Sequence, residues 1–123
     1  MKKIGALFVI LAGLIAGQVQ AAGDASKGKR VFNKCKACHS LVAGKKKIGP
    51  SLHGVFGQKA GTAKGFKFSS AMKKSGIVWS PETLSKYVAS PRKFIPGNKM
   101  PFPGLKNQTQ RDDLMAYLTE ATK

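Results

Sequence analysis

The sequence predicts an all-α fold of short helices joined by long loops, and three observations lead to it. Apolar residues recur at i, i+3, i+4 and i+7 near both ends of the 123-residue chain: Gly28, Val31, Phe32 and Cys35, then Leu114, Tyr117, Leu118 and Ala121. No stretch alternates apolar and polar residues with the two-residue period of a half-buried strand. Between the helical ends lie Ser40–Gly65, rich in glycine and lysine, and Pro91–Lys106, which holds four prolines and two glycines; both read as loops. Loops this long are unusual in a small domain unless something other than polypeptide fills its middle.

The first 21 residues stand apart. Lys2 and Lys3 form a basic start, Ile4 to Gly17 is uncharged and mostly apolar, and Val19-Gln20-Ala21 fits a small-residue cleavage site. This is the three-part layout of a secretory signal peptide, cut after Ala21. A retained anchor is the alternative, but spanning a bilayer takes about 20 apolar residues and this run is shorter. The expected organisation is a leader at 1–21 and one domain at 22–123, exported to the periplasm of a Gram-negative host, with no stable membrane insertion after cleavage.

Asp24 is placed to cap a first helix running to about Cys38. Gly28 falls in its interior, where glycine is costly, and the close passage of another helix would account for it. Ser69 to Ser75 is expected to form a short helix closed by Gly76. Ser80-Pro81-Glu82 reads as cap, N1 proline and acidic first turn of a helix that ends near Ala89, because Pro91 disfavours helical geometry at Ser90. Its apolar face is Leu84, Tyr87 and Val88. Pro91–Lys106 is expected to hold no regular element. Asn107 or Thr109 then caps the last helix.

Chemistry concentrates in Cys35-Lys36-Ala37-Cys38-His39, a Cys-x-x-Cys-His sequence that uses both cysteines of the chain. The pattern is that of c-type haem attachment. Two thiols at this spacing reach the two vinyl groups on one edge of a porphyrin, and the next residue, His39, offers an imidazole nitrogen to the iron. A disulfide redox motif would also explain the cysteines but normally accompanies a βαβ pattern, which is missing here. A structural zinc site would have to be built from Cys35, Cys38, His39 and His53; His53 reads better as an ordinary loop histidine. Export agrees with one covalent haem c, since in bacteria attachment takes place outside the cytoplasmic membrane.

With His39 on one face of the iron, the other face needs a ligand. Met115, beside Leu114 on the last helix, reads as core, and Met72 can simply pack in the short middle helix. Met100 differs. Ile95-Pro96-Gly97-Asn98-Lys99-Met100-Pro101-Phe102 is a stiff loop able to hold one side chain inward, and His/Met ligation recurs among haem proteins of this attachment type.

The charge is strongly one-sided, with 22 basic residues against five acidic ones. Loss of Lys2 and Lys3 with the leader leaves 20 against five, about +15. Such a surface speeds encounters with acidic partners in a salt-dependent way. Lys45-Lys46-Lys47 taken alone reads as a solvated charge run. Nucleic acid is excluded as a partner, because no motif interleaves the lysines with stacking aromatics and export removes the target.

Cys35-Lys36-Ala37-Cys38-His39, Gly49-Pro50-Ser51-Leu52-His53-Gly54, Gly76-Ile77-Val78-Trp79 and Phe94-Ile95-Pro96-Gly97-Asn98-Lys99-Met100, in that order, closely resemble the class I cytochromes c. These are the mitochondrial cytochrome c and bacterial cytochrome c2 group. The likeness covers the chain from Gly23-Asp24 to Ala116-Tyr117-Leu118. It implies the class I fold, with short helices and loops wrapped around one covalently bound haem, and first and last helices crossing so that Gly28 and Phe32 meet Leu114 and Tyr117. It implies that the Pro50 carbonyl accepts the other ring N–H of His39, and that Leu52, Trp79, Leu84, Tyr87 and Phe102 wall the haem. Lys34, Lys47, Arg92, Lys93, Lys99 and Lys106 would lie near the exposed haem rim as a docking surface. Gln58, Phe68, Met72, Phe94 and Asn98 depart from the mitochondrial pattern, which puts propionate bonding and the tuning of potential at issue rather than the ligands.

The function expected from this resemblance is a monomeric one-electron carrier, not an enzyme. Its natural partners are acidic surfaces on cytochrome bc1, a cytochrome c oxidase or a peroxidase. The competing expectation is a haem protein with peroxidase or gas-sensing activity, in which the methionine dissociates.

Overall fold

The structure, a computed structural model, describes residues 23–123 and Gly13. The expected leader and its cleavage point otherwise lie outside the described residues. Five helices are present among the described residues: α1 (Ala25–Val31), α2 (Ser70–Lys74), α3 (Pro81–Ala89), α4 (Pro91–Phe94) and α5 (Gln108–Ala121). There is no strand among them, only the isolated bridges His39–Lys46 and Lys59–Val78. The all-α expectation holds.

The chain enters α1 through Asp24, whose backbone is extended and whose carboxylate accepts from the Lys27 N–H at 3.2 Å. That bond holds the Asp24 carboxyl below the ordinary carboxylate range. The Asp24 N–H in turn donates to the buried Asp113 carboxylate at 2.7 Å, which fastens the start of α1 to α5.

The first helix is shorter than expected. Beyond Val31 it tightens into a 3₁₀ turn, Phe32–Lys34, and continues as turns to Cys38 instead of as α-helix. Cys35 N–H donates to the Phe32 carbonyl (2.8 Å) and Cys38 N–H to that of Cys35 (3.1 Å). The same two carbonyls also accept from the Lys36 and His39 N–H groups (3.1 and 2.9 Å), so the turns mix 3₁₀ and α spacing. Phe32, Cys35 and Cys38, three residues apart, all face one side of the chain.

α1 and α5 form the principal helix–helix contact. A Cβ on Gly28 would strike the Asp113 carbonyl oxygen and stand 2.7 Å from the Tyr117 Cβ, so the close passage expected at this glycine is real. One turn on, the Phe32 and Tyr117 rings pack at 5.6 Å between centroids, tilted by 49°. Gly28→Ala is expected to cost about 1–3 kcal/mol, the usual range for overpacking a tight contact. Chemical denaturation of the holoprotein reads this as a lowered midpoint; an unchanged midpoint would contradict the crossing.

The middle helices follow their local signals. Ser69 accepts from the Met72 N–H at 3.0 Å to start α2, and Gly76 follows it at φ +69°, a conformation open chiefly to glycine. α3 begins with a reciprocal capping box between Ser80 and Thr83. It ends at Ser90, whose φ −159° and ψ 82° are far from helical, as Pro91 demands.

The expectation that Pro91–Lys106 holds no regular element is corrected by α4. Pro91 occupies its first position, where a preset φ and a missing N–H suit a helix start. The Phe94 and Ile95 N–H groups close the turn onto the carbonyls of Ser90 and Pro91, both at 3.0 Å. α5 starts at Asn107, whose side chain accepts from the Gln110 N–H at 3.0 Å; of the two caps anticipated, Asn107 is the one used. Met72 and Met115 are both buried.

Candidate functional site

Between the α1–α5 pair and the segments from Ser40 to Leu105 lies an apolar crevice with a volume of about 430 Å³. Its size suits an organic cofactor. The long loop that closes one side is tied at its base, where the Gly49 N–H donates to the Cys38 carbonyl (2.7 Å) and the Leu52 N–H to that of Ser40 (2.9 Å).

Cys35 and Cys38 line the crevice, and neither is in a disulfide. Burial pushes the Cys35 thiol up to about 11, with the neighbouring Cys38 adding to the shift and Lys34 opposing it. A redox dithiol works through a thiol with a depressed pKa, so this environment argues against that reading of the motif. No group of three or more His, Cys, Asp or Glu side chains able to hold a metal ion occurs among the described residues, and His53 is exposed. The zinc alternative finds no cluster here.

His39 lines the same crevice. Its Nδ1 stands 2.8 Å from the Pro50 carbonyl oxygen. A carbonyl can only accept, so Nδ1 carries the proton and Nε2 keeps its lone pair. Burial holds the imidazole pKa below its ordinary value, against the opposing pull of the Pro50 bond, and so favours this neutral ring. Gly49 packs flat against it: a Cβ there would stand 2.5 Å from Cε1 and 2.9 Å from Nδ1. Any side chain at Gly49 would push the ring out of place. The Cys-x-x-Cys-His segment is thus held from both directions, by its own turn bonds onto the Cys35 carbonyl and by the Gly49-Pro50 turn.

The remaining expected pocket residues come together here. Leu52, Trp79, Leu84, Tyr87 and Phe102 all border the crevice, as does Met100. Trp79 and Tyr87 pack with centroids 5.2 Å apart, and both are buried. Burial pushes the Tyr87 hydroxyl up to about 12, so it remains a donor at neutral pH; it donates to the Asn98 Oδ1 at 3.2 Å. Of the residues departing from the mitochondrial pattern, Gln58, Phe68 and Met72 line the crevice, while Phe94 packs against Tyr87 at 6.4 Å.

The six basic residues expected at the rim divide. Lys34 and Lys99 border the crevice and are exposed. Arg92 and Lys93 are exposed on α4, outside its lining. Lys47 and Lys106 are exposed too, with their ammonium groups on the carbonyls of Lys36 (2.8 Å) and Ala89 (2.7 Å). Among the described residues the only ion pair is Glu82–Lys86, so the positive charge is left largely uncompensated.

Sequence reasoning missed Ile48, Lys59, Phe66 and Leu105, which also line the crevice. Ile48 is 74% exposed, an apolar side chain at the mouth beside the lysine run. The one usable signal was apolar or aromatic residues inside otherwise polar loops, as at Phe66, whose ring meets Phe68 edge-on at 4.8 Å.

Comparison with known proteins agrees with this geometry. The family model described as cytochrome c matches residues 25–122. Cytochrome c2 iso-2 of Magnetospirillum fulvum is 58% identical over 87 residues, covering 71% of this chain and 91% of its own. Cytochrome c2 of Rhodoblastus acidophilus is 49% identical over 100 residues (80% of this chain, 94% of its own), and cytochrome c of Arabidopsis thaliana 48% over 103 residues (82% and 92%). Among solved structures, cytochrome cH from Methylobacterium extorquens superposes with a TM-score of 0.74 at 47% identity, covering 79% of this chain and 98% of that one.

Proposed function

The chain belongs to the cytochrome c family, and from that premise we propose that it is an exported, monomeric one-electron carrier with a single haem c. The observation that carries this reading is the convergence on one apolar crevice of both thiols, a neutral imidazole oriented by Pro50, and Met100. In the proposal Cys35 and Cys38 would hold the haem covalently through their sulfurs, and His39 and Met100 would bind its iron. The bound haem would supply an iron that alternates between ferrous and ferric states.

Everything else is the work of the chain. With His39 and Met100 both holding the iron, oxygen, peroxide or substrate would find no place on it, so the proposed role is electron carriage and not catalysis. A neutral, soft thioether and burial among Trp79, Leu84 and Tyr87 both disfavour the more highly charged ferric state and raise the potential. Pro50 fixes the imidazole, which limits rearrangement when the charge changes.

Adding carbon monoxide to the ferrous protein at neutral pH tests the sealed iron. The expected result is an unchanged visible spectrum. A carbonyl spectrum at low gas pressure would favour the alternative of a peroxidase or gas sensor, in which Met100 leaves the iron.

Lys34 and Lys99 at the crevice, with Lys47, Arg92, Lys93 and Lys106, form the proposed docking surface for acidic faces of cytochrome bc1 and of a terminal oxidase or peroxidase. Such encounters are weak and fast, as a shuttle requires. The rate of electron transfer to an oxidase is expected to fall severalfold between low and physiological ionic strength, because exposed charges are screened beyond about 8 Å in 0.15 M salt. A rate independent of salt would remove the docking role. The location proposed is the periplasm, after cleavage of residues 1–21; no helix among the described residues is long and apolar enough to cross a membrane.

A further inference from the structure

The loop that presents Met100 is almost free of backbone support. Among the described residues no backbone–backbone hydrogen bond involves residues 99–104; the ladder stops where the Asn98 N–H reaches the Ile95 carbonyl (3.1 Å) and resumes with the Leu105 N–H on Val88 (2.7 Å). Lys99 and Pro101, on either side of Met100, are exposed. Besides apolar packing against the core, the hydrogen bond that fixes the methionine backbone comes from one side chain. The Asn98 amide nitrogen donates to the carbonyls of Pro91 and Ile95, both at 2.9 Å. Its oxygen accepts from the Met100 N–H at 2.8 Å and from the Tyr87 hydroxyl at 3.2 Å.

Two donors and two acceptor sites are all that a carboxamide has, and each is used. The orientation is unambiguous, since a flipped amide would set its oxygen against two carbonyls. Asn98 thereby joins the crevice wall on α3, both ends of α4 and the backbone of Met100 itself.

We propose that Asn98 is a positioning residue whose carboxamide locks the Met100 loop in its inward conformation and so protects the iron from competing ligands. The proposal rests on Met100 being the axial ligand. A competitor binds only when the loop has swung out, so its apparent affinity is its intrinsic affinity multiplied by the open fraction. Losing hydrogen bonds of ordinary strength raises that fraction by about tenfold.

The test is titration of the ferric holoprotein with imidazole at one neutral pH, followed by loss of the far-red methionine–iron band. Asn98→Ala is expected to raise imidazole affinity about tenfold. Asn98→Thr keeps a hydroxyl able to accept from the N–H two residues on, and is expected to fall between Ala and wild type. Asp24→Ala weakens the cap of α1, far from this loop, and is expected to leave imidazole affinity unchanged.

Wild-type affinity in Asn98→Ala overturns the proposal, as does an equal rise in Asp24→Ala. Should Asn98→Ala not fold, hydrogen exchange in the wild-type protein decides: the Met100 amide is expected to be protected and the Lys99 and Phe102 amides to exchange fast, and equal exchange at all three overturns the lock. Failure of the ligand assignment looks different. It gives a wild-type protein without the far-red band, whose imidazole affinity Met100→Ala does not alter, and this ends both readings.

Discussion

Replacing both Cys35 and Cys38 by alanine is expected to abolish pigmented protein altogether. An apolar crevice of about 430 Å³ runs through the described domain, and Phe32, Trp79, Leu84, Tyr87, Leu114 and Leu118 all line it. A domain of this size buries a comparatively small share of its surface even when its core is intact. Without the cofactor, this lining would face either water or a large void, and a void costs about 24 cal/mol per Å³. Loss of attachment should therefore be loss of the fold. The expected readings are no colour surviving acid-acetone extraction and a far-ultraviolet dichroism spectrum with little helix. Either single variant keeps one thioether and is expected to give coloured protein in reduced yield. A double variant that is folded and unpigmented would mean that the crevice stands by itself, and the packing argument would fail.

Met100→Ala carries the second large effect. The variant removes the thioether and leaves the rest of the crevice wall in place. The ferric protein is expected to lose its far-red band and turn high-spin, and the ferrous protein to bind carbon monoxide. The midpoint potential is expected to fall on the order of 0.2 V, well inside the span of roughly 0.8 V that axial ligands command. Peroxidase-like activity should appear, because a coordination position has opened. Met72→Leu and Met115→Leu are the controls: both methionines are buried side chains, and neither substitution should touch the band. A wild-type spectrum in Met100→Ala would show that the sulfur had been assigned to the wrong residue.

Much of the fold was legible because its helix starts are local chemistry. Asp24, Ser69, Ser80 and Asn107 each accept from a backbone N–H of the first turn, as their residue types suggest. Helix ends were harder to read. The sequence around Val31 and Phe32 suits α and 3₁₀ geometry equally, and the choice follows from tertiary contacts that bring Phe32 onto Tyr117 and both cysteines onto the crevice. Pro91 sends two opposite signals, stopping one helix and starting another, and only the first was read.

The site shows the same division. Cys35, Cys38 and His39 announce themselves through spacing, and the other expected pocket residues through family likeness. Lys59 and Leu105 went unmarked because loops carry no periodicity to show an inward face. Asn98 looked like a polar departure from a familiar pattern. Its function as a four-bond junction depends on Tyr87 and Pro91, eleven and seven residues earlier, which only the folded chain brings within reach.

One measurement bears most directly on the claim that two axial ligands from the chain enclose a covalently held iron so that only electrons pass. It is a redox titration of the purified exported protein, with the visible and far-red spectrum recorded at each potential. The account predicts one reversible one-electron transition at a potential high for a haem, low-spin spectra in both states, and a far-red band present only when the iron is ferric. A high-spin ferric spectrum without that band, or a preparation with no pigment to titrate, would contradict it.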